Sequence, residues 1–134
     1  VFILDTNVIS ALRRPERAQP VVAWLQRQAE DDLFLSAVTI GEIARGIDQQ
    51  SRVNPDFASD LQQWLDRTCQ LFSDRILPFD SDAALIWGRL SAQIGHDGAD
   101  LMIAATAIAH QATVATRNVK DFLPTGVALL NPFE

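Results

Sequence analysis

The stretch Val1-Phe2-Ile3-Leu4-Asp5-Thr6-Asn7 decides how this chain reads. Four apolar residues without alternation make a strand buried on both faces, as central parallel strands are. The run stops at a carboxylate, and from Asn7 the chain turns helical. Ligand and catalytic groups of open α/β sheets sit just beyond the carboxyl ends of the strands, and Asp5 falls at such an end.

Outward from that point, Val8, Ile9 and Leu12 give Asn7 to Arg14 a one-sided helical spacing that Pro15 ends. A polar stretch leads to a second helix carrying Val21, Val22, Trp24 and Leu25, and Leu33-Phe34-Leu35 is a second short buried strand. Thr39-Ile40-Gly41-Glu42 reads as a helix start running to about Ile47. Beyond a polar break, Phe57, Leu61, Trp64, Leu65, Thr68 and Leu71 share one helical face. Ile76-Leu77-Pro78-Phe79 is a third strand, whose proline points to a sheet end or edge. Asp80 to Ile94 is helical, and after the Gly95–Gly98 turn Ala99 to about His110 forms a helix apolar almost all round, hence central. Thr113-Val114-Ala115 and Val127 to Leu130 are the last two strands. Short apolar strands alternating with helices predict an α/β fold with a mostly parallel sheet of about five strands, in one domain over residues 1–134. The helical pair from about 42 to 72 is expected to project from it.

The chain has 134 residues, 48% of them hydrophobic, enough for one domain with a real core. No apolar run reaches membrane-spanning length and no signal peptide is evident. The lone Cys69, in an amphipathic segment, reads as a buried inert thiol suited to a reducing cytosol. A net charge of −6 counts against non-specific nucleic-acid binding. It leaves room for a nucleic-acid enzyme whose acidic site works with divalent cations.

In parallel βαβ units helix N-termini share an edge with strand C-termini. Asp5 follows the first strand, Glu42 opens the helix after the second, Asp100 opens the helix leading into the fourth, and Asn118 and Asp121 follow the fourth. Each has a bland reading. Asp5 and Asn118 fit helix caps, Thr39-x-x-Glu42 fits a capping box, and Asp100 suits the dipole of a first helical turn. Together, three carboxylates on one edge repel one another unless a cation neutralises them. Oxygen ligands without a His or Cys set suit Mg²⁺ or Mn²⁺, ions that activate water and steady phosphoryl charge. His96, close before Asp100, reads as a solvated loop residue, and Trp24, Trp64 and Trp87 read as core or interface. No nucleophile elbow, P-loop or dinucleotide fingerprint is present.

At these residues the chain resembles PIN-domain ribonucleases of the VapC and FitB type, the toxins of bacterial toxin–antitoxin pairs. The similar stretches are Ile3 to Ser10, Leu35 to Glu42, Ala99 to Ala107 and Val114 to Phe122, within a likeness running to about Phe133. The resemblance implies a three-layer PIN-like fold and a Mg²⁺- or Mn²⁺-dependent endoribonuclease. It maps the family acids onto Asp5, Glu42 and Asp100. The fourth position, often aspartate, falls on Asn118, with Thr6 and Thr116 as polar neighbours and Asp121 as a partial substitute. It further implies a cytoplasmic homodimer or toxin–antitoxin hetero-oligomer. The antitoxin would couple a DNA-binding N-terminal part to an inhibitory tail.

Two rivals stand beside an RNA-cleaving toxin. One is another Mg²⁺-dependent phosphoester hydrolase with Asp5 as nucleophile, although such enzymes place a second aspartate where this chain has Asn7. The other is a catalytically weak PIN-fold module for protein binding.

Overall fold

A computed structural model describes residues 1–134. Five strands form one all-parallel sheet: β1 (Phe2–Leu4), β2 (Leu33–Ser36), β3 (Ile76–Leu77), β4 (Thr113–Ala115) and β5 (Leu129–Leu130). Their order is β3-β2-β1-β4-β5, so β1 is central and β3 is an edge, as Pro78 predicted. Phe2 pairs with Leu33 on one side and with Thr113 on the other.

Seven helices connect the strands: α1 (Thr6–Ala11), α2 (Gln19–Gln26), α3 (Ala37–Ser51), α4 (Pro55–Leu71), α5 (Ser81–Ile94), α6 (Ala99–Ala109) and α7 (Val119–Phe122). Alternation along the strands feeds two cores. On one face Leu4, Leu35 and Ala115 pack with Val8 and Ile9 of α1 and with Val21 of α2. On the other, Ile3 and Val114 pack with Ile103, Ala104 and Ala107 of α6 and with Phe122 of α7. These are the three layers expected. α6 is the central helix foreseen, with Leu101 and every residue from Ile103 to Ala107 buried.

The pair α3–α4 holds a small core of its own, Ile47, Ala58 and Leu65. It is tied to the sheet by Phe72, just past the end of α4. No helix is long and apolar enough to cross a membrane.

Several expectations are corrected. α1 ends at Ala11 rather than Arg14, because Leu12, Arg13 and Arg14 donate to carbonyls three residues back and tighten the chain into turns. α3 starts at Ala37 with Ser36 as its cap, not at Thr39. β5 spans only its last two expected residues, since the Val127 N–H donates to the Thr125 hydroxyl at 3.3 Å rather than to a strand. Cys69 is half-buried, not fully buried, and burial followed by the nearby Asp66 pushes its thiol pKa up. Among the tryptophans only Trp24 is fully within a core, edge-on to Phe2 with ring centroids 5.0 Å apart.

Candidate metal-binding and catalytic cleft

Asp5 leaves β1 as the cap of α1 and is only 3% exposed. Its Oδ1 accepts from the Thr6 N–H at 2.8 Å. Its Oδ2 accepts from the Thr116 hydroxyl at 2.7 Å and from the Asn7 amide at 3.3 Å. Three donors thus fix the carboxylate, a far tighter hold than a cap requires. Burial nevertheless pushes its pKa above the ordinary carboxylate value; the Thr116 and Thr6 bonds pull the other way, the Glu42 charge adds to the rise, and Asn7 again opposes it.

Thr116, just past β4, is fully buried. While its hydroxyl donates to Asp5, it accepts from the Asn118 N–H at 2.9 Å and from the Asn7 amide at 3.3 Å. Asn7 completes the mesh by accepting from the Arg117 N–H at 3.2 Å. In the sequence Asn7 mattered only as a missing aspartate; here it joins the ends of β1 and β4. Its spacing of two from Asp5 was the one available sign.

Glu42 sits well inside α3, so the capping-box reading falls. Ser36 caps the helix, its hydroxyl accepting from the Val38 N–H at 3.1 Å, and Thr39 is a buried helical residue whose hydroxyl has no partner. Glu42 instead accepts from the Thr6 hydroxyl at 2.9 Å. Thr6 therefore orients Asp5 through its backbone and Glu42 through its side chain.

Asp100 lies in the first turn of α6, half-buried and without a hydrogen-bond donor of its own. Burial raises its pKa first, Asp5 and then Asp121 add to the rise, and His96 opposes it. His96 is exposed, as expected of a loop histidine, and its Nδ1 accepts from the Gly98 N–H at 3.2 Å. Asn118 precedes α7 without capping it through its side chain.

Asp5, Thr6, Asn7, Glu42, Asp100 and Asn118 line a cleft of about 240 Å³ that contains no apolar residue. Asp121 is exposed and does not line it, reaching the cleft only through its charge. The edge argument thus brings together Asp5, Glu42, Asp100 and Asn118 from four parts of the chain.

No three acidic, histidine or cysteine side chains close tightly enough to enclose a metal by themselves. Mg²⁺ does not need that, because it keeps several waters and takes one or two carboxylates. An all-polar cleft whose three carboxylates offer oxygen ligands, with room for a hydrated ion, fits such a cation; the Glu42 charge raises the need of Asp5 for one, and the Asp5 charge that of Asp100.

A sequence profile of the family described as PIN domain matches residues 2–123. Toxin FitB of Neisseria gonorrhoeae is 38% identical, with 99% of each chain covered. The VapC ribonuclease Y4jK of Sinorhizobium fredii is 36% identical over 100% of this chain and 99% of its own. Among solved structures, FitAcB from Neisseria gonorrhoeae superposes with a TM-score of 0.85 at 38% identity, covering 100% of this chain and 99% of that one.

Proposed function

This chain belongs to the PIN domain family, and from that premise we propose that it is a divalent-metal-dependent endoribonuclease, the toxin of a toxin–antitoxin pair. The observation carrying the proposal is the three-donor hold on a buried Asp5 that shares an all-polar cleft with Asp100. Relatives named as a toxin and as a ribonuclease over nearly their whole length support it.

Asp5 and Asp100 would hold Mg²⁺ or Mn²⁺, with Glu42 completing the set. When bound, the cation lowers the pKa of water and offsets charge on the phosphoryl oxygens. Thr116, Asn7 and the Thr6 N–H hold Asp5 in one rotamer and occupy three of the roughly four acceptor sites of its carboxylate, leaving one on Oδ1 for a cation. Glu42, fixed by the Thr6 hydroxyl, would complete that set or orient the attacking water. In-line attack by water on the phosphorus would break the P–O3′ bond, the leaving 3′-oxygen taking a proton from solvent, to give 3′-hydroxyl and 5′-phosphate ends. Asn118 supplies an uncharged amide at the cleft rim and removes one negative charge there.

The proposed partner is an antitoxin whose tail brings an Arg or Lys to the acidic cleft, the charge complement such a site calls for. The test is cleavage of RNA with Mg²⁺ by Asp5→Asn and Asp100→Asn chains that keep the wild-type circular dichroism. Loss in both is expected, and full activity in both sinks the reading. Asn118 at the fourth corner, where an acid is often found, favours the second reading, a module for protein binding. Calorimetry with Mn²⁺ separates the two, because a module binds none, or binds equally in the double variant.

A further inference from the structure

Although the molecule is acidic, four of its 11 basic residues gather in one place. Arg13, Arg14, Arg17 and Arg117, with Ser10, surround a pocket of about 210 Å³. The first three come from the turns after α1, and Arg117 crosses from the loop after β4. None of them is paired: the ion pairs of the molecule are Arg52–Asp48 and Arg75–Asp74. Glu16, the one carboxylate in the same segment, is exposed and does not line the pocket.

Two of the guanidinium groups are held in place by aromatic rings. Arg117 lies 3.9 Å from the Phe133 ring centroid. Arg13 lies 5.3 Å from that of Phe57 and 5.9 Å from that of Trp64. Like charges assembled without a counter-charge repel, so the pocket has a standing demand for an anion. Guanidinium groups meet phosphate through paired N–H donors.

The pocket adjoins the acidic cleft. Asn7 lines the cleft and accepts from the Arg117 N–H. Asn118, the next residue, lines it too, while Ser10 stands on α1 less than one turn (about 5 Å of rise) beyond Asn7. We propose that this arginine pocket holds a backbone phosphate of the RNA strand whose neighbouring phosphodiester lies in the acidic cleft. The inference rests on the ribonuclease reading for the identity of the anion. A chain with a net charge of −6 repels a polyanion unless a local basic site offsets it. An RNA strand explains why the basic site adjoins the carboxylates. An acidic peptide would fit the pocket alone and be repelled by the cleft.

The test compares the wild-type chain, Arg14→Ala/Arg17→Ala, and Arg67→Ala/Arg89→Ala, which removes the same charge from exposed positions elsewhere. Binding of a labelled single-stranded RNA is read by fluorescence anisotropy in EDTA between 50 and 200 mM salt. Arg14→Ala/Arg17→Ala should lose about tenfold in affinity, and its log–log salt slope should shrink by about 0.7 per phosphate contact removed. The Arg67/Arg89 control should keep most of its affinity. Equal losses in both variants, or none in the first, overturn the proposal; retained RNA affinity with lost binding of an acidic peptide assigns the pocket to a protein. Mg²⁺-dependent cleavage is measured separately, with KM expected to rise in Arg14→Ala/Arg17→Ala and kcat to hold. If no chain cleaves RNA, the ribonuclease reading fails, while the anisotropy still decides on the pocket.

Discussion

At the scale of single residues, Asp100 carries the clearest electrostatic cost. Its folded pKa lies above the ordinary 3.8, first through burial and then through Asp5 and Asp121. A carboxyl raised in this way contributes stability below its unfolded pKa and loses it as pH rises through the folded value. Asp100→Asn should therefore raise the melting temperature of the metal-free protein at pH 7, and the gain should close toward pH 4; a scan of Tm against pH checks both. Thr116→Val removes the main bond holding down the Asp5 pKa and strands the Asn118 N–H. It should cost about 1–3 kcal/mol of stability in denaturant unfolding and move the acid limb of RNA cleavage to higher pH. The importance of Asp5 was legible because a buried strand ending in a carboxylate has few bland explanations. Thr39 and Glu42 misled, because a Ser/Thr three residues before a Glu fits a capping box wherever it occurs. Ser36, next to the apolar run Leu33–Leu35, was the real cap. Thr116 was reached only through the family resemblance and Asn7 not at all, since their roles exist only when residues over 100 positions apart meet.

Among the elements, α6 is the most constrained. It lies against β1 and β4 through Ile103, Ala104 and Ala107, all fully buried, and small side chains let it come close. Ala104→Leu should cost about 1–3 kcal/mol through overpacking, read as a shifted urea midpoint. By doing so it should also displace Asp100 at the helix start and lower activity. The α3–α4 pair behaves otherwise. Its inner core is three residues, so Leu65→Ala should loosen the pair, seen as faster amide exchange in α4, before it unfolds the sheet. Strand and helix identities were legible from periodicity, because two-sided burial and one-sided burial leave different patterns. Element ends were less so. The tightening after Ala11 and the turn before Leu129, where Gly126 takes a positive φ of 75°, are closed by hydrogen bonds two or three residues apart, which the spacing of apolar residues does not reveal.

For the whole molecule, the strand order places the site. β1 connects forward to β2 on one side and pairs with β4 on the other, so the sheet reverses direction of growth at β1. Helices leaving toward opposite faces open a crevice at that point. The direction rule for parallel units was enough to gather Asp5, Glu42, Asp100 and Asn118 from the sequence. It could not gather the arginine pocket, because turns obey no such rule. If the cleft binds a divalent cation, Mn²⁺ at about 100 times its Kd should stabilise the fold by about 2.7 kcal/mol, with no such gain for Asp100→Asn. The bond from Thr116 to Asp5 has one more consequence, in time rather than space. It spans 111 positions, and β4 is the fourth strand to emerge during synthesis. A nascent chain that has released Asp5 lacks its main hydrogen-bond partner until β4 and Thr116 follow it out of the ribosome. The carboxylate is therefore fixed in its cleft only once β4 has joined the sheet.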